Sequence, residues 1–145
     1  MHIAPEPAIQ DVISLLAESG LPVGDISPAS SVQFFGVRSG GALMAVIGLE
    51  LFPSVGLLRS LAVSPSCRGR GFARALVEFA EILAASHGVE MLFLLTTTAE
   101  RFFLALGYVP ASRGAAPAVI QTTSEFASLC PASSSFLCKP VGGAG

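Results

Sequence analysis

The sequence predicts a mixed α/β domain. Three observations carry that prediction: apolar residues at helical spacing near the start, three apolar runs separated by short turns, and an alternation of helical and strand-like segments after Pro65. From Pro7 to Ser19, residues Ile9, Val12, Ile13, Leu15 and Leu16 recur at near-helical spacing. A helix is predicted there, ending at Gly20 with Pro22 just beyond. Pro28–Ser31 reads as a loop. Val32–Val37, Ala42–Phe52 and Val55–Val63 read as strands. Turns at Ser39-Gly40-Gly41 and Pro53-Ser54 join them into an antiparallel meander.

A second helix is predicted from about Gly71 to Ser86, with Phe72, Leu76, Phe79, Ala80 and Leu83 in period and His87-Gly88 as its stop. Met91–Leu95 is a continuous apolar run, the pattern of a strand buried on both faces. Ala99–Leu106 reads as a short helix closed by Gly107, and Tyr108–Pro110 as a strand. Val119–Leu129 reads as a helix ending before Pro131, and Ser134–Lys139 as the last strand. Residues 1–140 are therefore expected to make a single domain, with 141–145 as a disordered tail.

Composition narrows the function classes. Hydrophobic residues make up 52% of the chain and charged residues 12%, which argues against disorder. The longest uncharged run in the body of the chain, Phe126–Cys138, contains a proline and four serines and is too short to span a bilayer. No basic segment precedes an apolar core at the start, so a cytoplasmic protein is expected. A net charge of −2 argues against a general nucleic-acid binder. Cys67, Cys130 and Cys138 form no CxxC pair, so reduced thiols and no metal site are expected. Pro117–Leu129 and Ser134–Lys139 carry more apolar residues than one small core needs, which predicts a homodimer through this part.

The stretch Cys67–Val77, CRGRGFARALV, concentrates positive charge and glycine between a strand and a helix. The first N–H groups of a helix have no intrahelical acceptor and lie at its positive dipole end. Gly69 and Gly71 would let a ligand approach the main chain, and Arg68, Arg70 and Arg74 add charge around the opening. This is a nest for a phosphate or diphosphate. The nucleoside-triphosphate loop is excluded because Gly71 is followed by Phe72-Ala73 rather than Lys-Ser/Thr. The dinucleotide fingerprint is excluded because Arg74 stands where its last glycine would be.

Leu61-Ala62-Val63-Ser64-Pro65 followed by Arg68-Gly69-Arg70-Gly71-Phe72-Ala73-Arg74-Ala75-Leu76 resembles the acetyl-CoA motif of the GNAT superfamily of N-acetyltransferases, with Arg68, Gly71 and Ala73 at its defined positions. Ala99-Glu100-Arg101-Phe102-Phe103 and Leu106-Gly107-Tyr108 resemble the second motif of that family. The resemblance implies a mostly antiparallel central sheet flanked by helices, and acetyl-CoA as cosubstrate. It implies that main-chain N–H groups from Arg68, Gly69, Arg70, Gly71, Phe72 and Ala73 cradle the CoA diphosphate, with Arg74 beside them. Leu61, Ala62 and Val63 would pair their main chain with the pantetheine arm, and an N–H there would polarise the thioester carbonyl. A small-molecule amine would attack directly, through a tetrahedral intermediate. Phe103 occupies the cofactor-side position where many members carry a tyrosine that protonates the departing thiolate, and a phenyl ring has no proton to give.

Three side chains are candidates for the chemistry. Glu50 is the carboxylate nearest in sequence to the strand that precedes the turn, and the hairpin sets it roughly opposite Leu58 or Arg59. Glu50 and Arg59 form either an ion pair within the sheet, or a base and a binder of an anionic substrate group. Thr96 ends the buried strand and either assists the thiolate or satisfies the backbone before the next helix. A non-catalytic acyl-CoA-binding sensor or interaction module is the alternative function. Gly56–Val63, Thr96–Ala99 and Glu125–Ser133 also resemble the small GNAT enzymes of arsenic-resistance operons. That likeness implies an amino-acid antimetabolite with a phosphinate or arsinate group, acetylated on its α-amine.

Overall fold

The computed structural model describes residues 2–142. The first helix, α1 (Ile9–Glu18), turns Val12, Leu15 and Leu16 inward. It ends at Gly20, whose φ of +72° suits a residue without a Cβ, and the Leu21 N–H reaches back to the Leu16 carbonyl. The meander follows as β2 (Gln33–Ser39), β3 (Ala42–Leu51) and β4 (Val55–Val63). Ahead of it, Ala4–Pro5 forms β1, a two-residue strand beside β2 that carries no periodicity to detect and tolerates proline because it lies at an edge.

Downstream come α2 (Phe72–Ser86), β5 (Met91–Thr96), α3 (Glu100–Ala105), β6 (Val109–Pro110), α4 (Ala118–Gln121) and β7 (Ser135–Pro140). Among the described residues the strands make one seven-stranded sheet in the order β1-β2-β3-β4-β5-β7-β6. The β1–β2, β2–β3, β5–β7 and β6–β7 pairs are antiparallel, and β4–β5 is parallel. The mixed, mostly antiparallel sheet flanked by helices is the fold class the sequence predicts.

The chain's contacts gather into two compact units, one running to Glu50 and resuming over Leu58–Ile82, the other comprising Leu51–Leu57 and the chain from Leu83 on. In the first, strand alternation sends neighbouring side chains to opposite faces. Phe34 joins Val12, Leu16, Val46 and Ala62 in a core under α1. Phe35 packs its ring at a tilt, with centroids 5.1 Å apart, against Phe79 of α2 on the other face. In the second unit Leu57, Phe93, Leu95, Ala116, Ile120 and Phe136 form the core, with Phe126 packed against it.

The C-terminal part expected to carry a homodimer contact contributes residues to that second core. Ile120 and Leu137 are fully buried and Phe136 is 4% exposed, so the surplus apolar residues of the C-terminal part cover the chain's own sheet. Ile120→Ala should lower unfolding free energy by about 2–5 kcal/mol, read from denaturant titration, because its site is closed on all sides.

The helix predicted over Val119–Leu129 is broken. α4 stops at Gln121, and Glu125–Leu129 is a π-helical turn in which the Cys130 N–H donates to the Glu125 carbonyl. Threonine chemistry explains the break: the Thr122 and Thr123 hydroxyls each donate at 2.7 Å to carbonyls three residues back, Val119 and Ile120, competing with the helical ladder. The tail is expected to begin at 141. The Val141 N–H donates to the Glu90 carbonyl at 2.9 Å and Gly142 follows it, while 143–145 lie outside the described residues.

Candidate active site

The third and fourth strands do not pair evenly. At the hairpin the Phe52 N–H donates to the Val55 carbonyl, and an unbroken ladder from there would set Met44 against Val63. Instead the Ser64 N–H donates to the Met44 carbonyl at 2.7 Å, so β4 carries one extra residue. Ser60 is the residue that absorbs it, at φ +57°, in the left-handed region that side chains other than glycine seldom adopt. The Arg59 Nε donates to its hydroxyl at 3.0 Å. Nothing in the sequence marks this bulge, because a serine in a strand pattern looks like any other outward polar residue.

Beyond the bulge, Ala62 is buried in the core beneath α1, and the chain leaves the sheet through a single 3₁₀ turn, Pro65–Cys67. Cys67 is 5% exposed and its N–H donates to the Ser64 carbonyl, which anchors the turn. Arg68 is extended, and Gly69 and Gly71 have φ of +79° and +80°. The Ala75 N–H makes the first intrahelical bond, to the Gly71 carbonyl at 3.1 Å, so the N–H groups of Phe72, Ala73 and Arg74 have no acceptor inside α2. A Cβ built on Gly69 or Gly71 would meet no atom within 4 Å. Arg68, Arg70 and Arg74 are exposed around this space, and the Arg74 Nε also reaches Glu78 at 3.4 Å. Donor N–H groups, a positive dipole end, guanidinium charge and open space over two glycines fit a diphosphate.

A buried charge cluster lies on β3 and β4. The Arg59 side chain is fully buried, and its two terminal nitrogens donate to the two oxygens of Asp25 at 2.5 and 2.8 Å. The same Nη1 reaches Glu50 Oε2 at 3.3 Å. Burial pushes the Glu50 carboxyl above the usual range, and Arg59 only partly offsets this. Asp25 goes the other way, held low chiefly by its hydrogen bonds from Arg59. The sheet ion pair between Glu50 and Arg59 is present. The expectation that Arg59 holds an anionic substrate group meets a different partner, since its fork is filled by Asp25. With it goes the physical ground for a phosphinate or arsinate on the substrate. Asp25 escaped the sequence reading because it sits in the loop between α1 and β2, 34 positions from Arg59, where no periodicity predicts an inward carboxylate.

A model of the acetyltransferase (GNAT) family matches residues 12–108, two thirds of the chain. The chain belongs to that family. It is 32% identical over 107 residues to an amino-acid acetyltransferase of Ralstonia nicotianae, a match covering 74% of this chain and 23% of that protein. In structure it resembles N-acetylglutamate synthase from Neisseria gonorrhoeae, solved with coenzyme A and N-acetyl-glutamate, at a TM-score of 0.78 and 20% identity over 97% of this chain and 35% of that one. It also resembles an acetyltransferase of the GNAT family from Staphylococcus aureus, at a TM-score of 0.71 and 14% identity, covering 97% of this chain and 98% of that one. The chain thus spans about a quarter to a third of the length of the first two.

Within this GNAT chain the second motif lies on β5 and α3. The Thr96 Oγ1 accepts the Ala99 N–H at 2.9 Å, which starts the turn into α3. Phe103 is 6% exposed and packs edge-on against Phe102 and Tyr108, with centroids 5.1 and 5.5 Å away. Tyr108 is the chain's single tyrosine, is 1% exposed, and carries the Lys139 ammonium 5.5 Å from its ring centroid. The motif position itself therefore offers no phenol. The His87 Nδ1 lies 2.9 Å from the Leu83 carbonyl at the end of α2, as a helix cap would. Among the described residues no helix is long and apolar enough to cross a membrane.

Proposed function

We propose that this chain is an acetyl-CoA-dependent N-acetyltransferase acting on the amine of a small amino-acid-like molecule. The observation that carries the reading is the Gly69–Ala73 turn: two glycines with open space above them, followed by three N–H groups that α2 leaves without acceptors. These groups hold the diphosphate of CoA, and Arg68, Arg70 and Arg74 neutralise its charge. Bound acetyl-CoA supplies a carbonyl activated by its thioester. The main chain of Leu61–Val63 lies beyond Leu57, the last residue of β4 paired with β5 in the parallel ladder, and it takes up the pantetheine amides. One of its N–H groups strengthens its bond as charge grows on the carbonyl oxygen. The amino-acid acetyltransferase named among the relatives supports the substrate class.

Glu50 is the proton acceptor for the attacking amine, directly or through one water, because burial leaves its carboxylate more basic than a solvated one. With Phe103 in place of a tyrosine, the proton for the thiolate comes from solvent. Activity should accordingly fall as pH drops through a value above the ordinary glutamate range, since only the ionised carboxylate can accept a proton. Incubation with acetyl-CoA and a panel of amino acids should release free thiol in an amine-dependent way. Glu50→Gln should lower kcat by about 10²-fold or more while acetyl-CoA affinity stays unchanged. The absence of a phenol at Phe103 favours one rival, an acyl-CoA-binding module without catalysis. Calorimetric binding of acetyl-CoA with no amine in the panel releasing thiol would decide for it.

A further inference from the structure

The three-charge cluster of Glu50 on β3, Arg59 on β4 and Asp25 from the loop before β2 holds one guanidinium between two carboxylates, and the division is unequal. Asp25 takes both prongs of Arg59, at 2.5 and 2.8 Å, while Glu50 receives a single contact at 3.3 Å. The third face of the guanidinium, its Nε, is turned to Ser60 at the bulge. We infer that Asp25 is a positioning residue for catalysis: by clamping the Arg59 fork on both prongs it keeps the guanidinium from closing on Glu50, whose carboxylate remains the proton acceptor. The inference rests on the reading of Glu50 as the base.

The chemistry follows from the geometry. A guanidinium that met Glu50 with two short parallel bonds would stabilise the carboxylate and depress its proton affinity. Asp25 prevents this in two ways: it competes for the same donors, and its own negative charge opposes ionisation of Glu50. The charged groups acting on Glu50 are Arg59 from β4 and Asp25 from the loop before β2, and both signs agree with the distances. Asp25 is also the member nearest solvent, its side chain 19% exposed against 9% for Glu50 and none for Arg59. The loop that delivers it is fastened by neighbours: Val23 and Ile26 pack into the core under α1, and the Ile26 N–H donates to the Val23 carbonyl. The clamp is therefore built into the fold.

The test compares pH profiles and carboxyl titrations. In Asp25→Asn, the acid limb of kcat/KM should move to lower pH by roughly one unit, and the plateau should fall, because Arg59 turns its fork to a now weaker base. In cofactor-free protein labelled with carboxyl-¹³C glutamate, the Glu50 resonance, assigned by its loss in Glu50→Gln, should titrate above the ordinary glutamate value in the wild type. It should titrate lower in Asp25→Asn by the same interval as the limb moves. An unmoved Glu50 titration in Asp25→Asn overturns the inference. So does a wild-type Glu50 that titrates at or below the ordinary value, a measurement that does not require Asp25→Asn to fold. Full activity in Glu50→Gln instead defeats the base assignment itself, which separates the two failures.

Discussion

Replacing Gly71 with valine is expected to weaken acetyl-CoA binding about 100-fold, roughly 2.7 kcal/mol, while leaving the fold in place. Gly71 sits at φ +80° with no atom within 4 Å of where a Cβ would stand, so the new Cβ meets nothing beyond its own stretch of backbone. It fills the space through which a diphosphate must come to reach the N–H groups of Phe72 and Ala73. Two hydrogen bonds to a charged group, each contributing about 1.5 kcal/mol or slightly less, account for the loss. The left-handed backbone adds a stability cost of about 1–3 kcal/mol that is independent of ligand. Gly20→Val is the control. Gly20 has φ +72° and equally open surroundings at the end of α1, so it should lower stability by a similar amount and leave affinity untouched. Calorimetric titration with acetyl-CoA and a thermal unfolding curve for each variant separate the two effects. Unchanged affinity in Gly71→Val would remove the turn from the cofactor site.

Arg59→Met should destabilise the protein by about 3–5 kcal/mol at neutral pH. The methionine replaces the buried stem of the arginine, so little packing is lost. What remains is a pair of carboxylates, Asp25 and Glu50, that faced a common guanidinium and now face each other without a counter-charge. The sign of the pH dependence follows. In the wild type Asp25 is held ionised below its ordinary range by Arg59, so its stabilising contribution is present above the unfolded-state value and is lost as pH falls through the lower folded value. In Arg59→Met both carboxyls are pushed up, and protonation relieves them. The gap between variant and wild type should narrow steadily as pH is lowered below the neutral range. A gap that stays constant with pH would mean the loss comes from packing rather than charge. Urea titrations at a series of pH values would read it.

Much of this molecule was legible in the chain because its signals are local. Helix α1 follows from five apolar residues at one spacing and a glycine stop. The meander follows from two short turns between apolar runs. The turn ahead of α2 follows from glycines and arginines adjacent in sequence, and that stretch together with Ala99–Tyr108 carries the resemblance to the family. The failures have local causes too. The C-terminal helix broke because Thr122 and Thr123 bond back to their own carbonyls, which hydrophobic period does not register. How much of the apolar segment after Pro117 the chain's own core takes up is set by strand pairing in space.

By itself, then, the sequence determined the order of elements from α1 through β6, the glycine–arginine turn ahead of α2 and the placing of Glu50 near Arg59 across a hairpin, all matters of neighbours close along the chain. Only the tertiary structure decided where the arginine's fork goes. Asp25 reaches it from a loop 34 residues away, and Ser60 bends the strand beneath it at a φ that no residue pattern announces. Burial decides which carboxylate holds a proton more tightly, and burial belongs to the packed fold rather than to any segment of it.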